Sequence, residues 1–258
     1  MKSFVFTVDD NIRFLKEICE SGYESIFDHP YLKMYKRLHD SFGVKVQLNL
    51  FFECEDFCLR DMTDKYREEW ENNSDWLKMS FHSWLENVRP YKESGFGEVF
   101  LHCYDTNNEI RRFAGEKSLA KTTTIHYCAL TENGIEAVER NGYRGLLGLY
   151  GTDDEPKVSY QNTSVEAEAL RRGELIKSGK ITYGGIDIVL NLFEKEEILE
   201  KLSALSKRKI IKIMIHEQYF YKDYERYIPE FEEILASSFD FLTNSGYSSE
   251  FFERFTLL

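Results

Sequence analysis

Two adjacent carboxylates, Asp9 and Asp10, follow the apolar run Phe4-Val5-Phe6-Thr7-Val8. That run reads as a buried strand, so the pair sits where the strand stops. Each ionised carboxylate disfavours ionisation of its neighbour, and burial adds to the cost. A metal ion or a proton-transfer task is the usual compensation; capping a helix that begins near Asn11 is the plainer use. Further along, His82 and Glu86 stand four apart, and if Ser83 opens a helical turn both face one side. Asp10, His82 and Glu86 then form a divalent-metal set. Two carboxylates and an imidazole suit zinc first, with iron, cobalt or manganese also accommodated and room left for water. Water on such an ion becomes a nucleophile near neutral pH. Asp9 is the candidate base for its proton and His216 the candidate acid for the leaving group. His126, Tyr127, Glu217 and Tyr219 are the candidate substrate contacts. The plainer readings are a surface pair of Glu86 with Arg89, a hydrogen-bonded half-buried imidazole at His126, and packing of Tyr219-Phe220-Tyr221.

The elements that must position these residues alternate along the chain. Strand-like runs are expected at Phe4–Val8, Val44–Phe52, Leu77–Phe81, Thr122–Cys128, Tyr143–Tyr150 and Ile210–Ile215. Between them the apolar spacing predicts helices, for example over Pro30–Phe42 with Gly43 as the stop, over Tyr91–Gly115, and over Lys195–Ser206. A last helix is expected near Tyr227–Asn244. Strand and helix in alternation imply βα units around a parallel sheet. Six or seven such units fit an α/β fold of the distorted (β/α)7-barrel type, one domain over residues 1–258. Residues 150–190 suggest a hairpin-like insertion, with Asp153-Asp154-Glu155 in a solvated loop. In such barrels the site gathers at the C-terminal strand ends. Asp9 and Asp10, His82, His126 with Tyr127, and His216 with Glu217 all fall there.

Composition narrows the classes. The 258 residues carry a formal net charge of −12, which repels phosphate backbones and argues against nucleic-acid binding. No apolar run approaches the ~20 residues needed to span a bilayer, and no leader pattern precedes the first strand. The five cysteines are scattered and odd in number, so free thiols and a cytoplasmic location are expected. Oligomeric state is not encoded in any pattern here.

Thr7-Val8-Asp9-Asp10 followed by His82-Ser83-x-x-Glu86 resembles the polysaccharide deacetylase family, carbohydrate esterase family 4, within the wider barrel superfamily of glycoside hydrolases and deacetylases. The third segment would be Thr124-Ile125-His126-Tyr127, followed by Gly142-Tyr143, and the late strand is Ile213-Met214-Ile215-His216. The order and spacing cover nearly the whole chain. The resemblance implies a metal-dependent hydrolase that cleaves a C–N amide, an N-acetyl group of a carbohydrate or related small molecule. It implies Asp9 as base, Asp10 and His82 as ligands and His216 as acid. The chain departs from the family pattern at Glu86, where a ligand His is expected, at Thr124 in place of a bracing Arg, and at His126 in place of a Pro. These departures mark a divergent branch and motivate the alternative, a barrel that binds carbohydrate or a partner without turnover. An aspartyl phosphatase would need a second acid two residues after Asp9, where Asn11 stands.

Overall fold

The computed structural model describes residues 2–86, 91–151 and 159–256. The strands are β1 (Lys2–Asn11), β2 (Val46–Cys54), β3 (Phe57–Cys58), β4 (Leu77–Leu85), β5 (Thr122–Thr123), β6 (Gly145–Gly148), β7 (Leu175–Ser178), β8 (Ile181–Gly185), β9 (Ile188–Val189), β10 (Ile210–His216) and β11 (Tyr247–Ser249). The helices are α1 (Arg13–Ser21), α2 (Pro30–Phe42), α3 (Arg67–Asn72), α4 (Phe96–Ala114), α5 (Glu132–Arg140), α6 (Ser164–Arg171), α7 (Lys195–Leu205) and α8 (Tyr224–Asn244).

Parallel ladders run β4-β2-β1-β10-β9 in one sheet and β5-β6-β8 in another. Short backbone contacts join the two. Ala120 N–H donates to Met79 O at 2.8 Å on one side; Ile186 N–H to Gly148 O and Asp187 N–H to Lys212 O, each 2.8 Å, do so on the other. The strand positions therefore close a ring in the order β1, β2, β4, β5, β6, β8 with β9, and β10, the expected distorted (β/α)7 arrangement. The expected hairpin is β7 against β8, antiparallel, turning at Gly179, whose φ of 59° suits glycine. The Asp153-Asp154-Glu155 loop lies outside the described residues.

Period-two alternation sorts the strand residues. On β1, Phe4 and Phe6 pack outward on Phe239 of α8 and Tyr35 of α2. Val5 instead clusters inside with Leu147 and Phe252. On β10, Ile211, Ile213 and Ile215 join the outer core, which sends Lys212, Met214 and His216 inward. Each fully buried Phe or Ile contributes roughly 1.5–3 kcal/mol. The inward positions below the mouth are polar: Thr7, Gln47, Asn49, Ser80 and Thr122 are all buried.

Local chemistry sets the helix ends. Pro30 occupies the first turn of α2, His29 caps it through Nδ1, and Gly43 ends it at φ 65°. α4 starts at Phe96 after Gly95, later than the expected Tyr91. The expected Thr122–Cys128 strand stops at Thr123. Ile125 N–H leaves the ladder for the Tyr160 hydroxyl, and Cys128 N–H turns back to Ile125 O. Among the described residues no helix is long and apolar enough to cross a membrane, and all five cysteines are free thiols.

Candidate active site

Strict alternation would send Asp9 and Asp10 to opposite faces of β1. A bulge prevents that. Val8 pairs with Leu48 and Asn11 with Leu50, so Asp9 and Asp10 together face the single residue Asn49. Asp10 takes the left-handed conformation, φ 64°, one that Asp tolerates better than most residues. Asn11 closes the bulge: its amide donates to Val8 O at 2.6 Å and to Asn49 O at 3.2 Å, and its carbonyl accepts from the Tyr31 hydroxyl. β4 carries a matching irregularity. Leu50 pairs with Phe81 and Phe51 with Ser83, leaving His82 as the extra residue. Both bulges sit at the level of Leu50, and both turn their residues into the mouth.

Asp10 Oδ1 lies 3.1 Å from His82 Nε2 and 3.4 Å from His126 Nδ1, and the two ring nitrogens are 3.1 Å apart. The three ligand atoms lie within 4.8 Å of one another. The other nitrogen of each ring is committed. His82 Nδ1–H donates to Thr124 O at 2.5 Å, and His126 Nε2–H to Glu86 O at 3.0 Å. A carbonyl only accepts, so these contacts fix the tautomers and aim three lone pairs at one point. Either an extra proton on a ring or a cation must sit among them. Two imidazoles and one carboxylate with open positions are a donor set that fits a divalent metal. Burial works against an ionised Asp10, but when a further proton sits on these rings their hydrogen bonds and the charge of His82 outweigh it and hold the carboxyl well below its usual range. Burial likewise opposes a charged His82, and Asp9 and Asp10 overcome it and raise its pKa.

Asp9 is buried and pairs across the ladder with His216. Burial pushes its carboxyl up to about 6, against the pull of His82 and the Asn49 hydrogen bond. Asn49 Nδ2 donates to Asp9 Oδ1 at 2.6 Å. Asn49 is itself held by Gln47 and Ser80, and Gln47 by Thr122. This chain of neutral side chains holds the Asp9 carboxyl in place. Opposite, Asn191 Oδ1 accepts from the His216 backbone N–H at 3.2 Å and faces His216 Nδ1 at 3.0 Å, which makes Nδ1 the protonated nitrogen. A cavity of about 240 Å³ joins Asp9, Asp10, His82, His126, Tyr127 and His216, with Leu149, Met214 and Gln218 among its walls.

The structure places four of the expected residues differently from their spacing. Glu86 does not join the cluster. β4 runs on to Leu85 instead of opening a helix at Ser83, so four residues of extended chain, roughly 13 Å, separate it from His82. Its carboxylate pairs with Arg13 at 3.3 Å, and Arg89 lies outside the described residues. His126, expected as a substrate contact, lies with Asp10 and His82 in the cluster. Glu217, also expected as a substrate contact, is fully buried. Its carboxylate accepts from the backbone N–H groups of Ile12, Arg13 and Phe14 and from the Tyr224 hydroxyl. It caps α1. Tyr219 lies outside this cavity, in an adjoining groove with Tyr221, Tyr227 and Phe231 that Gln218 connects to it. Asn49, Asn191, Asn11 and Gln218 escape sequence reasoning, because buried amides carry no spacing signal. Asp187, inside an apolar run, pairs with Lys212 and Arg208.

No protein-family model matches the chain, and no curated protein matches it by sequence. Its fold does match solved structures. Over 98% of the chain it superimposes on the 4-alpha-glucanotransferase of Thermococcus litoralis with a TM-score of 0.63 at 11% identity, spanning 40% of that longer protein. A family 4 acetyl xylan esterase from Clostridium thermocellum, solved with a cobalt ion, matches over 99% of this chain and 91% of its own, TM-score 0.54 at 13% identity. A peptidoglycan N-acetylglucosamine deacetylase matches over 98% and 86%, TM-score 0.54 at 11% identity. The likeness to the polysaccharide deacetylases is one of fold.

Proposed function

We propose that the protein is a metal-dependent hydrolase of the polysaccharide deacetylase type, cleaving an amide, an N-acetyl group on a carbohydrate or related small molecule. The observation that carries this is the convergence of Asp10 Oδ1, His82 Nε2 and His126 Nδ1 with no donor among them. These three side chains would hold the ion, zinc by preference for two nitrogens and one oxygen, with iron, cobalt or manganese compatible. A bound divalent cation supplies Lewis-acid polarisation of the acyl oxygen and acidifies a water. Asp9 accepts the proton of the attacking water, a role that suits a carboxyl pushed towards neutrality and fixed by Asn49. His216 stands across the cavity and delivers a proton to the departing amine, its tautomer set by Asn191. Tyr127, half exposed at the rim, and Gln218 contact the remainder of the substrate. Five free thiols fit a reducing, cytoplasmic setting.

The test is metal analysis of purified protein together with deacetylation of N-acetylglucosamine oligomers before and after chelation. Asp10→Ala, His82→Ala and His126→Ala should each lose the metal, and Glu86→Ala should keep it. Equal metal content in His126→Ala and wild type would refute the ligand set. Retained metal and ligand binding with no product from any N-acyl sugar would favour the non-catalytic barrel.

A further inference from the structure

The end of the barrel remote from the metal cluster holds the larger cavity, about 560 Å³. The segments that enter β2, β4, β5 and β6 build it together with the C-terminal stretch after β11. In a chain of net charge −12 its lining is basic: Lys45, Lys78, Lys117, Lys121, Arg144 and Arg254 face three carboxylates, Glu116, Glu250 and Glu253.

All three carboxylates are already engaged. Glu250 holds Lys45 at 2.9 Å and also Arg254. Glu253 holds Lys78 at 2.5 Å and the Lys121 backbone N–H at 3.1 Å. Glu116 turns to Arg111, outside the cavity, at 2.6 Å. Arg144 is spent on the carbonyls of Glu139 and Tyr143. Among the described residues the exposed ammonium groups of Lys117 and Lys121 have no ion-pair partner. The wall beside them is apolar, formed by Leu119 and Phe251, and Lys45 and Lys78 lie over the Phe251 ring with Nζ 5.6 and 5.1 Å from its centroid.

We infer that this cavity is a second ligand site that binds an organic dianion of the phosphate-ester type. The charged group meets Lys117 and Lys121, and the apolar body lies against Leu119 and the aliphatic stems of Lys45 and Lys78 that cover Phe251. Two uncommitted ammonium groups match a dianion, because charge-assisted hydrogen bonds are the strong ones. The apolar wall gives an ester an advantage over inorganic phosphate. The site is independent of the metal cluster at the other strand ends and of the reaction proposed there.

Isothermal titration at low salt with phenyl phosphate, inorganic phosphate and phenol tests it, low salt being needed because exposed charges are screened. Phenyl phosphate should bind one-to-one, inorganic phosphate more weakly and phenol not measurably. The double charge reversal Lys117→Glu with Lys121→Glu should weaken phenyl phosphate by about tenfold or more, and the milder Lys117→Gln with Lys121→Gln should fall between. Asp10→Ala should bind it like wild type. An unchanged Kd in both double variants, loss of binding in Asp10→Ala, or no heat with phenyl phosphate would each overturn the assignment.

Discussion

Replacing Glu217 separates a structural carboxylate from a substrate-binding one. Its two oxygens accept from Ile12 N–H at 2.7 Å, Arg13 N–H at 3.2 Å, Phe14 N–H at 2.8 Å and the Tyr224 hydroxyl at 2.6 Å. Glu217→Ala strands four donors in a place with no solvent access. At roughly 2 kcal/mol per unsatisfied buried group the loss is about 8 kcal/mol. The burial that pushes Glu217 from 4.5 to about 7 opposes this, because at pH 8 the buried carboxylate is ionised. That shift is worth about 3 kcal/mol, which the variant recovers. The net destabilisation is about 5 kcal/mol, and for a chain of this length Tm should fall by roughly 10–20 °C. Urea unfolding at pH 8, followed by far-UV circular dichroism with the m-value compared, measures it. A variant within about 1 kcal/mol of wild type that has lost turnover would refute the reasoning and return Glu217 to the substrate.

Stability should also fall in acid through His29. Burial lowers its pKa from 6.5 to about 4, and its neutral Nδ1 accepts from Tyr31 N–H at the start of α2. The unfolded chain binds a proton between those values while the folded chain does not, so about 3 kcal/mol present above pH 6.5 is lost on descending to pH 4. His29→Asn keeps a capping side chain and should show a shallower acid limb in thermal melts. Asn49→Ala removes a hydrogen bond to a charged carboxylate, worth roughly 1.5–3 kcal/mol. It should lower kcat about 10–100-fold with metal content unchanged; parallel loss of metal would show that Asn49 supports the ligands instead of the base. Asp187→Ala strands the buried ammonium of Lys212 and should cost roughly 3–5 kcal/mol in chemical denaturation, whereas an unaltered midpoint would mean that Lys212 is neutral in the fold.

Local patterns carried the elements. The α2 boundaries follow from His29-Pro30 and Gly43, whose preferences are set by their own backbones. Six apolar runs alternating with helical patterns specified a parallel α/β arrangement, and the rule that sites gather at strand ends singled out Asp9, Asp10, His82, His126 and His216. Two failures came from treating strands as regular. Helical spacing over Ser83–Glu86 would bring Glu86 beside His82, but β4 runs on to Leu85. A strand was assigned to Thr122–Cys128, where the chain leaves the ladder to bond Tyr160. Spacing cannot place Glu217 either: a carboxylate at a strand end has the same sequence whether it meets solvent or three backbone N–H groups.

The sequence by itself determined which residue types arrive at the barrel mouth, since alternation and strand length fix what stands at each strand end. Only the tertiary structure decided their division of labour. A bulge opposite Asn49 turns two neighbouring aspartates to the same side, and a second bulge presents His82. The carbonyls of Thr124 and Glu86 fix the tautomers of two rings that are 44 residues apart in the chain. Those are long-range hydrogen bonds and register shifts, and neither leaves a mark on spacing within any single element.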